Sequence, residues 1–181
     1  MPKRIRQPLL VPQQPNQVWS ADFMSDTLCA GKRFRTFNVI DDFNREALQV
    51  EIDTSITGKR LIRVFERLRL DRGLPGTLRV DNGPEFLCSD FVSWAESHGM
   101  NIHYIQPGKP NQNAYIERFN RTYRNELLDF YLSHNLDEVR EMTCWWMIEY
   151  NEQRPHDSLG DLTPAEYLST YAKNSTFKLS A

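Results

Sequence analysis

The order of strand-like and helical runs limits the folds open to this chain more than any other feature. Three runs rich in β-branched and aromatic residues come first, at residues 18–24, 34–41 and 47–52, and only a few turn-forming residues separate them. Connections that short join neighbouring strands in antiparallel orientation. The start of the chain therefore predicts three adjacent antiparallel strands.

Helical runs and short strands alternate in the rest of the chain. The spacing of apolar residues predicts, in order, a helix over 58–71, a strand over 77–80, a helix from the N-cap Ser89 to Gly99, a strand over 102–105 and helices over 112–130 and 137–151. The core face of the 89–99 helix comprises Phe91, Trp94, Ala95 and His98. The pattern predicts an α/β fold with a mixed five-stranded sheet: three antiparallel strands, then two reached through helical crossovers, with helices on both faces.

Composition excludes several classes of protein. A chain of 181 residues with 40% hydrophobic and 25% charged residues is typical of one globular domain with short extensions. The net charge of -2 means that any binding of nucleic acid must rely on local basic patches. Cys29, Cys88 and Cys144 lie far apart, which excludes a disulfide framework or a zinc ribbon. No apolar run approaches the ~20 residues that cross a bilayer, so we expect no membrane partner.

The chain divides into three predicted parts. Residues 1–16 are rich in Pro and Gln and predict an extended linker or N-terminal arm, with a frayed terminus as the alternative. A linker at this place leads us to expect that a further segment precedes it. Residues 17–172 form the predicted core domain, and residues 173–181 form a C-terminal tail.

Three acidic residues lie at positions where the predicted fold suggests a specific role for a carboxylate. Asp22 lies among apolar neighbours in the first strand, where an unpaired carboxylate is costly to bury. Asp81 ends the fourth strand, at the edge where α/β sheets place their sites, and Glu117 lies early in the long helix. A mixed sheet can bring all three to one edge, where oxygen ligands suit Mg²⁺ or Mn²⁺. In the alternative interpretation, Asp22 caps a turn and Glu117 is a solvated helix residue.

The helix that carries Glu117 has an unusual polar face. Around Glu117 this face presents Asn113, Asn120, Arg121 and Arg124, and the opposite, core-like face presents Ile116, Phe119, Tyr123 and Leu127. Amides and guanidiniums around one carboxylate suit phosphate oxygens beside a metal ion. An ordinary i,i+4 ion pair between Glu117 and Arg121 is the alternative.

Three motifs in order carry a family resemblance. They are Trp-Ser-Ala-Asp at 19–22, Val-Asp-Asn-Gly-Pro-Glu-Phe at 80–86 and Asn-Ala-Tyr-Ile-Glu-Arg-Phe-Asn-Arg at 113–121. The set resembles the retroviral-integrase-type catalytic core of bacterial insertion-sequence transposases, and most closely the second-frame product of the copy-out, paste-in group. Thirty-five residues separate Asp81 from Glu117, as in the D,D,E signature of that family, and Arg124 stands where the family has Lys or Arg. Residues 150–156 and 162–167 are similar to the C-terminal end of the family.

The resemblance implies a ribonuclease-H-like fold and a D,D,E polynucleotidyl transferase. Such an enzyme cleaves and joins DNA strands by in-line attack of water or a 3′-hydroxyl on a phosphodiester. Asp22, Asp81 and Glu117 would be the catalytic and metal-binding residues, holding Mg²⁺, or Mn²⁺ as a substitute, as two ions when DNA is bound. The residues that would bind DNA are Lys109, Asn113, Asn120, Arg121 and Arg124.

The resemblance also implies partners and a location. These are the DNA of element ends and target, further copies of the chain in a homo-oligomer, and an upstream helix-turn-helix module in the same or a separate chain. The protein would act in the bacterial cytoplasm, at the nucleoid. Two alternatives remain open at this point: a ribonuclease-H-like nuclease that only hydrolyses nucleic acid, and a non-catalytic DNA-binding remnant of a decayed element.

Overall fold

A computed structural model describes residues 11–179, except for the side chains of Pro110 and residues 176–179. Residues 1–10 of the predicted arm and 180–181 of the predicted tail lie outside the described residues. The strands are β1 (Val18–Thr27), β2 (Arg33–Asp41), β3 (Ala47–Asp53), β4 (Thr77–Val80) and β5 (Asn101–Tyr104). The helices are α1 (Gly58–Arg72), α2 (Ser89–Ser97), α3 (Ala114–Tyr123), α4 (Leu136–Glu152) and α5 (Pro164–Leu179).

The five strands form one mixed sheet in the order β3-β2-β1-β4-β5. The pairs β1–β2 and β2–β3 are antiparallel, whereas β1–β4 and β4–β5 are parallel. The predicted α/β topology is therefore confirmed, with β1 in the centre of the sheet. The last predicted strand lies one residue earlier than expected, because Asn101 rather than Ile102 begins the pairing with β4.

Each face of the sheet is covered by a helical layer with its own core. On one face, Phe65 of α1 packs against Trp19 and Phe37 of the sheet and against Phe91 of α2. On the other face, the predicted core residues of the 112–130 segment are all buried, and α4 packs beside them through Trp146 and Tyr150. Among residues 11–179, no helix has both the length and the apolar character needed to cross a membrane.

A buried ion pair joins three neighbouring strands of the sheet. Nη1 of Arg79 on β4 donates to Oδ2 of Asp42, at the end of β2, over 2.9 Å, and Oγ of Ser20 on β1 donates to the same oxygen over 2.9 Å. The side chain of Asp42 has no solvent exposure and that of Arg79 has 10%. One carboxylate therefore connects β1, β2 and β4 at a place where solvent does not reach its own charge and hardly reaches that of Arg79.

The predicted helix over 112–130 is not one regular helix. A 3-10 turn over Pro110–Asn113 leads into α3, and a π-helical turn over Arg124–Leu128 follows it. In this turn the backbone N–H of Asp129 donates to the carbonyl of Arg124, five residues earlier. The guanidinium of Arg124 also donates to the carbonyl of Ser25 on β1, so a contact with the sheet accompanies the change of helix type.

Two details of α2 differ from the prediction. The N-cap is Cys88 rather than Ser89, and it makes no side-chain capping bond. Phe91 and Ala95 are fully buried and Trp94 is partly buried, but His98 is exposed. His98 stacks on Trp94 from outside, with 4.4 Å between ring centroids, and therefore does not belong to the core face.

Helix α5 is an element that apolar spacing did not predict. Its start is fixed by a capping box, in which Thr163 and Glu166 each accept the backbone N–H of the other. Tyr167 and Tyr171 then pack their rings on Phe43, which follows β2. The sequence signal was Thr-Pro-Ala-Glu at 163–166, whose Thr and Glu are correctly spaced for such a cap.

Candidate active site

The three acidic residues singled out by sequence line one cleft. Asp22 lies within β1, Asp81 directly follows β4, and Glu117 lies in the first turn of α3. The cleft has a volume of about 550 Å³. Its lining consists of Asp22, Asp81, Asn82, Gly83, Ile105, Gln106, Pro107, Gly108, Lys109, Asn113 and Glu117. The fold thus brings together carboxylates that are as many as 95 positions apart in sequence, from Asp22 to Glu117.

Asp22 is held in place by a chain of amides. Nδ2 of Asn120 on α3 donates to Oδ2 of Asp22 over 2.9 Å, and the backbone N–H of Phe23 donates to Oδ1 over 2.8 Å. Nδ2 of Asn38, opposite Asp22 on β2, donates in turn to Oδ1 of Asn120 over 2.7 Å. Asn38 and Asn120 are both buried. Three elements therefore fix the orientation of one carboxylate, and Asn38 is a residue that the sequence analysis missed.

The environment of Asp22 raises the pKa of its carboxyl group from 3.8 to about 6. Burial is the largest cause, and the negative charges of Asp81 and Glu117 raise the pKa further. The hydrogen bonds from Phe23 and Asn120 oppose this effect, because they stabilise the ionised form. Burial and the neighbouring carboxylates therefore both make ionisation of Asp22 costly.

This raised pKa gives stability a pH dependence with a definite sign. The folded state binds the Asp22 proton more tightly than the unfolded state, so the contribution of Asp22 to stability falls as pH rises from 3.8 to about 6. We expect the free energy of unfolding of wild type, relative to Asp22→Asn, to fall across this interval in EDTA and to level off above it. Urea unfolding at a series of pH values measures the difference. A difference that is independent of pH would contradict the prediction.

Asp81 is positioned by the turn that follows β4. The backbone N–H of Gly83 donates to Oδ1 of Asp81 over 2.9 Å, and a Cβ on Gly83 would lie only 3.0 Å from that oxygen. Nδ2 of Asn82 donates to the carbonyl of Ile105, which ties the turn to the segment after β5. A side chain at position 83 would therefore crowd the carboxylate of Asp81 and push it from its present position.

The same turn is also anchored to the sheet. Glu85 forms an ion pair with Arg35 of β2, whose guanidinium lies 4.2 Å from the ring centroid of Phe23 on β1. The hydroxyl of Tyr104 on β5 donates to the carbonyl of Phe86 over 2.8 Å. The motif of residues 80–86 thus contains one cleft carboxylate and several residues that hold its turn in place.

Glu117 faces the cleft without a salt-bridge partner among the described residues. Among the described residues, Glu117 does not form the i,i+4 ion pair with Arg121 that the sequence left open. Asn113 lines the cleft one turn earlier and is buried, and its Oδ1 atom has no hydrogen-bond partner among the described residues. This side of the cleft therefore presents the carboxyl oxygens of Glu117 and the unpartnered amide oxygen of Asn113.

The five residues with a predicted DNA contact have different surroundings. Lys109 and Asn113 line the cleft, with Lys109 on the exposed loop after β5. Asn120 is not among the cleft-lining residues but donates to Asp22, whereas Arg121 is exposed on the surface of α3. Arg124 donates to the carbonyl of Ser25 over 2.9 Å and lies near Asp26 and Asp129. Their contacts with DNA remain predictions.

The donor set of the cleft fits a divalent cation. Within residues 11–179, no three His, Cys, Asp or Glu side chains are close enough together to hold a metal ion as they stand. The carboxylates face a common space, however, and their charges act on one another, as the raised pKa of Asp22 shows. Carboxylate and amide oxygens are the ligands that Mg²⁺ prefers, and a cation between the carboxylates would remove their repulsion.

Comparison with known proteins identifies the family. A profile described as integrase core domain matches residues 12–110, more than half of the chain, and a second profile of the same description matches residues 98–164. The chain belongs to the integrase core domain family. The fold agrees with this assignment, because the catalytic core domain of HTLV-2 integrase, solved in complex with magnesium in a trimeric form, superposes with a TM-score of 0.69. That match has 19% sequence identity and covers 86% of this chain and 97% of the integrase chain.

Two curated relatives of this integrase core domain are proteins of bacterial insertion elements. The IS476 uncharacterized 39.2 kDa protein of Xanthomonas euvesicatoria is 39% identical over 92% of this chain. The IS407 uncharacterized 31.7 kDa protein of Burkholderia multivorans is 40% identical, also over 92% of this chain. This chain spans 48% of the first relative and 60% of the second.

Proposed function

We propose that this integrase core domain is the catalytic part of an insertion-sequence transposase and carries out DNA strand cleavage and strand transfer. The observation that carries the proposal is the cleft, in which Asp22, Asp81 and Glu117 from three separate elements face one space. The relatives from insertion elements support a mobile DNA element as the source of the substrate. The reaction is in-line attack of water or a 3′-hydroxyl on a phosphodiester.

In this proposal Asp22, Asp81 and Glu117 hold Mg²⁺, as two ions when DNA is bound, and Mn²⁺ can substitute. Two such ions supply positive charge to the attacking and the leaving oxygen. The magnesium complex of the structurally similar HTLV-2 core supports this choice of metal.

The protein's own residues position the reacting groups. Asn120 and the backbone of Phe23 orient Asp22, and the backbone of Gly83 orients Asp81. We assign Lys109 and Asn113 to the DNA phosphates, because both line the cleft and both carry N–H groups that can donate to phosphate oxygens. None of the described residues that line the cleft carries a hydroxyl, thiol or imidazole group. Direct attack on the phosphodiester therefore fits the site better than a covalent protein–DNA intermediate.

The proposal extends to assembly. Trp145 and Ile148 of α4 are 68% and 44% exposed, although Trp146 and Tyr150 of the same helix are buried. We assign this exposed apolar surface to a contact with a second copy of the chain. An upstream helix-turn-helix module, in the same or a separate chain, would recognise the element ends, and the reaction would take place at the nucleoid of the bacterial cytoplasm.

Strand transfer on a labelled, branched DNA substrate tests the proposal. We expect joined products with Mg²⁺ or Mn²⁺ and none with EDTA, because the carboxylates cannot bind the phosphate without a cation. Shortened strands without joined strands would support a nuclease that only hydrolyses DNA. No product, either from the chain alone or from the chain together with an upstream helix-turn-helix segment, would support a DNA-binding remnant.

A further inference from the structure

A second pocket lies on the side of α3 that faces away from the carboxylate cleft. Its wall on α3 consists of Tyr115, Arg118, Phe119 and Thr122, whereas Asn113 and Glu117 face the cleft on the opposite side of the same helix. The other walls come from the end of β2, the β2–β3 turn, the end of α4 and residues 154–158. No described residue lines both spaces. We call this second space, of about 160 Å³, the basic pocket.

Three arginines give the basic pocket its charge. Arg45, Arg118 and Arg154 all line it, and Asp157 is the single acidic residue among its described lining residues. Arg154 is paired with Glu126 over 2.5 Å, but neither Arg45 nor Arg118 forms a salt bridge with any described residue. The pocket therefore has a local excess of positive charge in a chain whose net charge is -2.

Two nitrogen atoms in the basic pocket lack the partners that burial requires. The guanidinium of Arg45 lies 3.6 Å from the ring centroid of Tyr115, and its Nη1 atom is buried without a hydrogen-bond partner in the described part of the chain. Nε2 of His156 is buried and equally unpartnered. Leaving such groups unpaired costs about 1–3 kcal/mol each. Nη1 of Arg45 can only donate and therefore points to a missing acceptor. Nε2 of His156 accepts when the ring is neutral and would donate to the same acceptor once it is protonated.

We propose that the basic pocket binds a single phosphate group. Its volume is below the ~300 Å³ of usual organic-ligand sites, so the occupant is a small oxyanion or a phosphate that projects from a larger molecule. Guanidinium groups present N–H donors in a fork that matches phosphate oxygens, and Arg45 and Arg118 are available for this role. The phosphate can be inorganic phosphate or a backbone phosphate of DNA, and only the second source rests on the proposed function.

His156 provides a reporter for the occupied state. Burial and the charges of Arg154, Arg118 and Arg45 lower the pKa of its imidazole, which keeps the ring neutral. A bound phosphate would reverse the local charge, raise this pKa and allow a protonated Nε2 to donate to the anion. Because the ring also bonds the backbone carbonyl of Tyr150, it cannot easily turn away from the pocket.

The first experiment uses inorganic phosphate alone. We expect phosphate to shift the imidazole NMR signals of His156 and to raise its pKa in the wild-type chain. Arg118→Gln and Arg45→Asn should each weaken this response by about tenfold or more, as expected for a lost charged hydrogen bond. Asn suits position 45 because the backbone there has φ of 61°, a conformation that Asn tolerates. Arg63→Gln, at an exposed position of α1 on the other face of the sheet, is the matched control.

The outcomes separate clearly. His156 signals that do not move with phosphate would overturn the proposal, and so would an equal loss of response in Arg118→Gln and Arg63→Gln. A response that both pocket variants weaken and the control preserves would support it, whether or not strand transfer is ever observed.

The second experiment distinguishes the sources of phosphate. Binding of duplex DNA is measured in EDTA at several salt concentrations, so that no catalytic step is needed. If the pocket takes a DNA phosphate, Arg118→Gln should lower the slope of log affinity against log salt by about 1, and Arg63→Gln should leave it unchanged. A positive phosphate experiment with an unchanged slope would assign the pocket to free phosphate and overturn the DNA source.

Discussion

Asp81→Asn is expected to abolish metal-dependent strand cleavage and joining, with a loss on the order of 10³-fold or more. Asp81 is one of three carboxylates that face the cleft, and the amide that replaces it carries no negative charge for a cation. Charge stabilisation placed at the reacting phosphate is usually the largest single contribution to catalysis. The amide oxygen can still accept the N–H of Gly83, so the turn after β4 should keep its shape.

The matched control for this prediction is Asp90→Asn. Asp90 is exposed in the first turn of α2, so its replacement by Asn removes the same charge at a position away from the cleft. Product formation is followed on labelled, branched DNA with Mg²⁺, and the midpoint of urea unfolding checks that both variants are folded. If Asp81→Asn retained the wild-type rate, the proposed catalytic role of the three carboxylates would be wrong.

Asp42→Ala is expected to destabilise the fold by about 3–5 kcal/mol, the usual cost of removing one partner of a buried ion pair. The change leaves the guanidinium of Arg79, with 10% exposure, without its carboxylate, and it also removes the acceptor of the Ser20 hydroxyl. Since Asp42 connects three strands, the loss should affect the entire sheet. Urea unfolding at neutral pH measures the difference.

A double variant separates the charge from the packing in this prediction. Asp42→Leu combined with Arg79→Leu removes both charges, and such replacements are often close to neutral in other proteins. We expect it to be more stable than Asp42→Ala. Asp90→Ala, at an exposed position, should change stability by less than about 0.5 kcal/mol. A cost below 1 kcal/mol for Asp42→Ala would contradict the argument that Arg79 depends on this carboxylate.

The sequence predicts the sheet well because its constraints are local. The gaps between β1, β2 and β3 are too short for any connection but an antiparallel one, and the crossovers through α1 and α2 are long enough for parallel pairing. The end of α3 was not predictable in the same way. The π-helical turn at Arg124 accompanies a contact with the carbonyl of Ser25, 99 positions earlier, which no local pattern contains.

The charged residues of the candidate site could be predicted from the sequence, but the residues that orient them could not. Asp22, Asp81 and Glu117 are visible because a carboxylate in a strand, at a strand end and on an amide-rich helix face needs an explanation. Asn38 is an ordinary polar residue of a strand until the fold places it opposite Asp22 and beneath Asn120. The hydrogen bond between these amides depends on the angle at which α3 packs across the sheet. That angle is set by the packing of all the side chains between the helices and the sheet.

Because β1 lies in the centre of the sheet, the backbone that carries Asp22 opens more rarely than the loop on the other side of the cleft. β1 pairs with β2 over most of its length and with β4 at Val18–Ser20, so the backbone that carries Asp22 is released only by opening of the sheet. The loop of residues 106–109 is exposed and held by few hydrogen bonds, so it opens locally at a far lower free energy. We therefore expect Lys109 to change position more readily than Asp22, so that a DNA strand held by Lys109 can depart without disturbing the carboxylate.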